Sequence, residues 1–168
     1  MVVDRRAVRR DPVEEAVRQW APRYPGAEGF RALTSLVRSY AAAVREVDRT
    51  LRPLGLTLSR FEILLLLSFS RVGRLPMMRI RDLLLVHGSS VTYLVGRLEE
   101  AGQVRRDADP DDRRVTLVSL TSEGQALVER AAALLADSGF GVFAALDEER
   151  LTLLGDLLAE LRQEPASG

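Results

Sequence analysis

The chain has 168 residues, 46% of them hydrophobic, which is enough for one globular core and predicts one domain or two small ones. It contains no cysteine, which excludes disulfides, thiolate metal ligands and cysteine nucleophiles and is typical of a protein of the reducing cytoplasm. Its 24 basic side chains, all arginine, balance 24 acidic ones, so the overall charge predicts neither a nucleic-acid nor a membrane partner. The balance differs along the chain, because residues 1–114 are net basic and residues 115–168 are net acidic.

The first segments read as a tail followed by two helices. Residues 1–10 carry four arginines with no apolar stretch behind them, and we expect a disordered basic tail rather than a secretory signal. Asp11, Pro12 and Glu14 form a helix start with a capping box. An apolar stripe ending at Trp20 follows, and then a long amphipathic helix over about residues 28–51. Residues 11–52 are therefore predicted to be N-terminal helices with apolar faces to bury.

The middle of the chain has the pattern of a helix-turn-helix. Thr57 is predicted to cap a nearly all-apolar central helix in which Glu62 is the lone charge. A brief helix with Met78, Ile80, Leu83 and Leu84 facing inward then ends near His87, and residues 89–101 form a second helix closed by Gly102. Small polar residues and arginine face outward on this second helix, as on a recognition helix.

A hairpin and two further helices complete the pattern. Residues 104–107 and 115–120 favour strands on either side of a turn-rich tip, which predicts a wing. Thr121 is predicted to cap the next helix, whose inward face includes Leu127, Ala131, Leu134 and Leu135, and a last helix begins after Asp147. We expect a mainly α-helical protein with a small β wing. Residues 54–120 would form the winged helix-turn-helix, and residues 121–164 the C-terminal dimerisation helices.

At this level of detail the chain resembles the MarR (multiple antibiotic resistance regulator) family of bacterial transcription factors. The resemblance rests on Gly55-Leu56-Thr57, Ser89-Ser90-Val91-Thr92, Arg97-Leu98-Glu99-Glu100-Ala101-Gly102, and Asp109-Pro110-Asp111-Asp112-Arg113-Arg114 running into Leu120-Thr121. It implies a homodimer that binds double-stranded DNA at a pseudo-palindrome, usually as a repressor relieved by a small ligand. Gly96 and Gln103 depart from the family pattern, in which an aspartate and an apolar residue are common at these positions.

The predicted DNA-binding residues lie on the second helix and on the wing. On the helix they are Ser89, Ser90, Thr92, Tyr93 and Arg97, which would enter the major groove. On the wing they are Arg105, Arg106, Asp112, Arg113 and Arg114. Arg114 would enter the minor groove, held by Asp112 through a carboxylate–guanidinium pair, and Arg105 and Arg106 would contact phosphates. The alternative is that these side chains form only solvated surfaces.

The candidate ligand residues are Trp20 and Glu62, because pockets in this family lie where the dimerisation helices meet the DNA-binding lobe. The pair partly resembles the urate-responsive branch, but Leu94 stands where that branch has an arginine. A small aromatic or weakly acidic effector is therefore expected, with urate only one candidate. The alternatives are that Trp20 is a core or interface anchor and that Glu62 forms an ion pair with an arginine.

Two other classes of function are alternatives to a ligand-responsive regulator. An enzyme would need a convergent set of catalytic groups, and the sole histidine, His87, has no suitable partner nearby in the sequence. We expect no catalysis, no metal and no cofactor. A DNA-binding architectural dimer that responds to no ligand is the remaining alternative.

Overall fold

The computed structural model describes residues 11–84 and 88–163, and the side chains within these ranges except at positions 88 and 89. The expected tail at residues 1–10 and the expected turn at His87 lie outside the described residues. In chain order the helices are α1 (Pro12–Trp20), α2 (Ala27–Leu51), α3 (Leu58–Phe69), α4 (Met77–Leu84), α5 (Gly88–Glu100), α6 (Ser122–Asp137) and α7 (Glu148–Arg162). The strands are β1 (Arg74–Pro76), β2 (Val104–Ala108) and β3 (Thr116–Leu120). The predicted mainly helical fold with a β wing is confirmed.

The start of α1 follows the predicted cap only in part. The carboxylate of Asp11 accepts a hydrogen bond from the amide of Val13 at 2.9 Å, with Pro12 in the first helical position. Glu14, which was expected to reach back to the cap, instead forms an ion pair with Arg31 of α2 at 3.2 Å. The reciprocal half of the capping box is therefore replaced by a link between the first two helices.

The start of α3 differs from the prediction. Thr57 occupies the N-cap position, but its side chain makes no capping hydrogen bond. The amide of Leu58 donates instead to the carboxylate of Asp48, near the end of α2, at 2.7 Å. A carboxylate is favoured at this position because the N-terminus of a helix carries partial positive charge.

The core is organised around α3. Ile63, Leu64 and Leu67 are fully buried, as the apolar run predicted. Around them pack buried residues from the end of α2, from α4, α5 and α6, and from the sheet. In α6 the predicted positions Leu127, Ala131 and Leu135 are buried together with Val128. Because these residues join one cluster with α3, α6 belongs to the core that also holds the helix-turn-helix and the sheet, whereas α7 has no buried residue.

The inward face of α4 matches the prediction at Ile80 and Leu84 but not at Met78 and Leu83. Met78 and Leu83 are exposed, at 69% and 43% of their surface. Ile80 is buried and Leu84 packs against the core, as predicted, and Met77 rather than Met78 is buried with them. The reason is that α4 begins at Met77, and spacings of three and four residues from there place Ile80 and Leu84 on the same side.

The wing is part of a three-stranded antiparallel sheet with the order β1-β3-β2. The predicted hairpin pairs Val104 with Leu120 and Ala108 with Thr116. Strand β1 was not predicted, because it has only three residues and ends in Pro76, and proline is a strand breaker except at edges. It pairs with β3 from Arg74 opposite Ser119 to Pro76 opposite Leu117.

The chain divides into two compact units between Ala43 and Val44, inside α2. The first contains α1 and the larger part of α2, and the second begins at Val44, in the last two turns of α2. Val47 and Leu51 belong to the core of the second unit, although the sequence grouped them with the N-terminal helices. None of the helices in the described ranges is both long and apolar enough to cross a lipid bilayer.

Candidate nucleic-acid interface

The outward face of α5 is fixed by the residues that the helix buries. Val91, Val95 and Leu98 are fully buried, and Leu94 packs against the same core. The opposite face therefore points to solvent. It exposes the predicted residues Ser90, Thr92, Tyr93 and Arg97, and also Glu100. The side chain of Ser89 is not among those described.

Arg81 is a residue of this surface that sequence reasoning missed. It lies on α4, and its Nη2 donates a hydrogen bond to Oγ1 of Thr92 on α5 at 3.1 Å. Its Nε is buried and has no hydrogen-bond partner among the described residues. Nothing in the sequence distinguishes Arg81 from the exposed Arg79, because the contact depends on how the two helices cross.

Arg97, the predicted base-reading residue, has an exposed partner on its own helix. Its Nη1 lies 2.6 Å from a carboxylate oxygen of Glu100, one turn later, and both side chains are more than half exposed. An exposed ion pair of this kind contributes little to stability. The guanidinium is therefore able to exchange this partner for a nucleic-acid group at small cost.

The wing tip presents a cation in the way that the sequence predicted. The side chain of Arg114 is 91% exposed, and its Nε lies 3.1 Å from Oδ1 of Asp112. The backbone amide of Arg114 donates to the same oxygen at 3.0 Å. Hydrogen bonding from the Arg114 side chain lowers the pKa of Asp112. Arg113 beside this pair is also exposed.

The two arginines of β2 are engaged within the protein. Arg105 pairs with Asp107 on the same strand at 2.7 Å. Arg106 forms a more extensive contact with Glu99 near the end of α5, through both its backbone amide and its guanidinium. Both residues were predicted to contact phosphates, and the structure gives each a carboxylate partner.

The base of the wing is held by Thr121 and by a close backbone contact. As predicted, Thr121 caps α6, accepting a hydrogen bond from the amide of Gly124 at 3.0 Å. Its hydroxyl also lies 2.8 Å from the carbonyl oxygen of Gly102 and 3.0 Å from that of Gln103. A Cβ at position 124 would lie 2.1 Å from the Gln103 carbonyl oxygen. Gly124 is therefore required for α6 to begin here, and sequence reasoning did not identify it.

Trp20, the first candidate ligand residue, lies at the end of α1 and contacts the segment that leads into α2. Its ring stacks on Phe30 with centroids 4.2 Å apart, and it meets Tyr24 at 4.8 Å. Its indole Nε1 donates to the carbonyl oxygen of Pro25 at 2.9 Å. A shallow cavity of about 270 Å³ lies beside it, lined in part by Gln19 and Arg23. These contacts support a structural role and leave one side of the ring next to an open cavity.

Glu62, the second candidate, is half-buried on α3. The predicted ion pair with an arginine is absent from the described part of the chain, where no salt bridge involves Glu62. Burial raises the pKa of its carboxyl group above the ordinary value. Trp20 and Glu62 belong to different compact units, so a pocket shared by both stays a prediction. Within the described ranges no group of side chains is suited to hold a metal ion.

Comparison with known proteins identifies the family. A sequence model of the MarR family matches residues 54–115. The uncharacterized HTH-type transcriptional regulator YhbI of Bacillus subtilis is 30% identical over 122 residues, which are 73% of this chain and 78% of that protein. Among solved structures, Sco5413, a MarR family transcriptional regulator from Streptomyces coelicolor, is 38% identical with a TM-score of 0.76. That match covers 82% of this chain and 94% of Sco5413.

A second Streptomyces coelicolor structure contains nucleic acid. Sco3205, a MarR family transcriptional regulator in complex with DNA, is 27% identical with a TM-score of 0.75, over 86% of this chain and 93% of that one. These matches support the winged helix-turn-helix and the role that the sequence motifs implied. The chain is a DNA-binding transcriptional regulator, not an enzyme, and it belongs to the MarR family.

Proposed function

We propose that the protein is a homodimeric, ligand-responsive repressor that binds a pseudo-palindromic operator. The recognition helix α5 enters the major groove through Ser90, Thr92, Tyr93 and Arg97, and the wing enters the minor groove through Arg114. The observation that carries this proposal is the almost complete exposure of Arg114 at the tip of a hairpin that follows directly after α5. Narrow A·T-rich minor grooves attract guanidinium groups. Such a regulator would act in the cytoplasm, where bacterial genomic DNA lies.

The homodimer is supported by apolar surface that a single chain leaves exposed. In α7 the side chains of Leu153, Leu157 and Leu161 are exposed by 58%, 51% and 72%. In α2 the same is true of Val37 and Tyr40. A continuous apolar helix face in water marks an interaction surface, and two copies of the chain pairing through these helices would cover it.

The DNA-binding proposal is tested by selecting duplexes from a randomised library with the purified protein. We expect a pseudo-palindrome whose half-sites are one helical turn apart, about 34 Å, because the two recognition helices of a dimer reach successive major grooves. Affinity for the selected duplex should fall steeply with salt, since phosphate contacts release counterions. Selection of no shared sequence, with equal affinity for all duplexes, would contradict the proposal.

The ligand response is tested through Trp20, the only tryptophan, whose fluorescence reports on its surroundings. A thermal-shift screen of aromatic acids and purines should find a compound that quenches Trp20 and releases DNA. Trp20→Phe keeps an aromatic ring against Phe30 and should retain the dimer and DNA affinity while weakening the response. Phe69→Leu is the matched control, because Phe69 is an exposed aromatic residue of α3 that does not line the cavity beside Trp20, and it should leave the response unchanged.

A ligand-independent architectural dimer is the second candidate. The observation that favours it is that the indole of Trp20 already has a stacked neighbour and a hydrogen-bond acceptor. If no compound in the screen changes DNA affinity, this second function is supported. A full response of Trp20→Phe to an effective compound would place the ligand pocket elsewhere.

A further inference from the structure

The contact between Glu99 and Arg106 joins the recognition helix to the wing. The Nε of Arg106 donates to Oε2 of Glu99 at 2.8 Å, and its Nη2 donates to the same oxygen. The backbone amide of Arg106 donates to the other carboxylate oxygen at 3.0 Å. One carboxylate thus accepts three hydrogen bonds from a single residue, and both oxygens are used.

This contact lies at the junction between α5 and the hairpin. Glu99 lies at the end of α5, and Arg106 lies in the middle of β2, beyond the turn around Gly102. The backbone hydrogen bond fixes the strand itself, and the two guanidinium bonds fix the direction of the side chain. Strand β2 carries the hairpin whose tip presents Arg114, so a rotation of the hairpin away from α5 would break this contact.

The contact also differs from the other ion pairs of the DNA-binding surface. Arg97 pairs within α5, Arg105 pairs within β2 and Arg114 pairs within the tip, so none of these three joins two elements. The side chains of Glu99 and Arg106 are only 32% and 36% exposed, less than those of the other pairs. A partly shielded, charge-assisted contact of three hydrogen bonds, one of them from the backbone, holds its geometry better than an exposed pair joined by side chains alone.

We propose that Glu99 and Arg106 form a clamp that sets the wing at a fixed angle to the recognition helix, and that Arg106 is a positioning residue for operator binding rather than a phosphate contact. This inference rests on the proposed binding mode, in which α5 and the wing engage the same duplex. Pre-organisation of the two elements lowers the entropy that binding must offset. The clamp therefore increases affinity without touching DNA.

Removing the charge of Glu99 distinguishes between the two roles considered for Arg106, a phosphate contact and a clamp. If Arg106 contacts a phosphate, Glu99→Gln removes a competing anion and should strengthen binding. If the pair is a clamp, Glu99→Gln should weaken binding to the selected duplex by about fivefold to tenfold, within the range expected of coupled contacts. Glu100→Gln is the matched control, because it removes the same charge one residue away and touches no wing residue, and it should bind no more weakly than the parent.

Substitutions of Arg106 also distinguish a clamp from a phosphate contact. Arg106→Lys keeps the charge but loses the two-nitrogen geometry, so a clamp predicts weakened binding and a phosphate contact predicts nearly parental binding. Arg106→Met should leave the slope of log affinity against log salt unchanged, whereas losing a phosphate contact would reduce it by about 1. The double variant Glu99→Gln/Arg106→Met should be no weaker than either single variant.

Hydrogen exchange in the absence of DNA tests the clamp independently of the operator. The amides of β2 and β3 should exchange faster in Glu99→Gln and in Arg106→Met than in the parent and in Glu100→Gln. Unchanged exchange would overturn the clamp even if the binding mode is correct. Faster exchange with unchanged affinity for the selected duplex would overturn its role in DNA binding. If the parent protein selects no duplex, the proposed binding mode itself has failed, and the exchange data still report on the contact.

Discussion

Glu62 is a charged group that the fold holds partly out of water. Because burial raises the pKa of its carboxyl group, the folded state binds more protons than the unfolded state between the ordinary glutamate pKa of 4.5 and the raised value. The free energy of unfolding should therefore fall as pH rises through this window. We expect Glu62→Gln to raise stability at neutral pH and to remove this pH dependence.

Urea unfolding across the acidic and neutral range measures this effect. Glu129→Gln on the exposed surface of α6 is the matched control and should change the pH profile little. A Glu62→Gln protein that is less stable than the parent at neutral pH would show that the charged carboxylate has a stabilising partner.

Replacement of glycine by alanine should have opposite effects on stability at positions 96 and 124. No atom lies within 4 Å of a Cβ placed at Gly96, inside α5, so Gly96→Ala should stabilise the protein by about 0.5–1 kcal/mol by reducing the entropy of the unfolded chain. A Cβ at Gly124 would overlap the Gln103 carbonyl oxygen, so Gly124→Ala should destabilise it by about 1–3 kcal/mol. Urea unfolding at a fixed protein concentration checks both signs, and equal effects would contradict the packing at the base of the wing.

The tip and the base of the wing differ in the contacts that hold them. Its base is fixed by Thr121 and by the contact with Glu99, whereas at the exposed tip Arg114 pairs with Asp112 of the same turn. We expect Arg114→Ala to weaken binding to the selected duplex, to reduce the salt slope by about 1 and to remove any preference for A·T-rich flanks. Fluorescence anisotropy over a salt series measures all three.

Two further substitutions are compared with Arg114→Ala, one as a control and one as a second test of the DNA-facing surface. Arg150→Ala removes the same charge from α7, away from the wing, and should leave affinity and salt slope unchanged. Arg97→Ala on the recognition helix should cost about 1–3 kcal/mol if the guanidinium reads a base edge. Parental binding by both Arg114→Ala and Arg97→Ala would show that the DNA-facing surface is elsewhere on the protein.

At the scale of the whole molecule, the C-terminal helix distinguishes a dimer from a monomer. Because α7 buries none of its leucines within one chain, we expect it to pack against a second copy. Leu157→Glu places a charge on the apolar face and should yield a monomer that also loses operator affinity, since half-sites are then bound singly. Thr152→Glu adds the same charge to the opposite face of α7 and should remain dimeric.

Analytical ultracentrifugation at micromolar concentration measures this difference. A parent protein that sediments as a monomer would contradict the homodimer. The exposed leucines of α7 and the exposed apolar stripe of α2 would then be the binding surface for another partner.

The sequence by itself determined the features that depend on neighbours along the chain. Helical spacing located α1, α2, α3 and α5, and strand propensity with a turn-rich tip located the hairpin. The buried positions Val91, Val95 and Leu98 then fixed which face of α5 is exposed. The pairing of Asp112 with Arg114 was also predictable, because only one residue separates them in a tight turn.

The tertiary structure decided the features that depend on partners from other elements. Asp48 rather than Thr57 caps α3, and Arg106 turns to Glu99 rather than to solvent. Strand β1 exists because β3 lies beside it, and Gly124 is required because the Gln103 backbone passes close to it. The periodicity of a sequence reports which side of an element is buried, but a polar side chain bonds to whichever group the fold brings within about 3 Å of it.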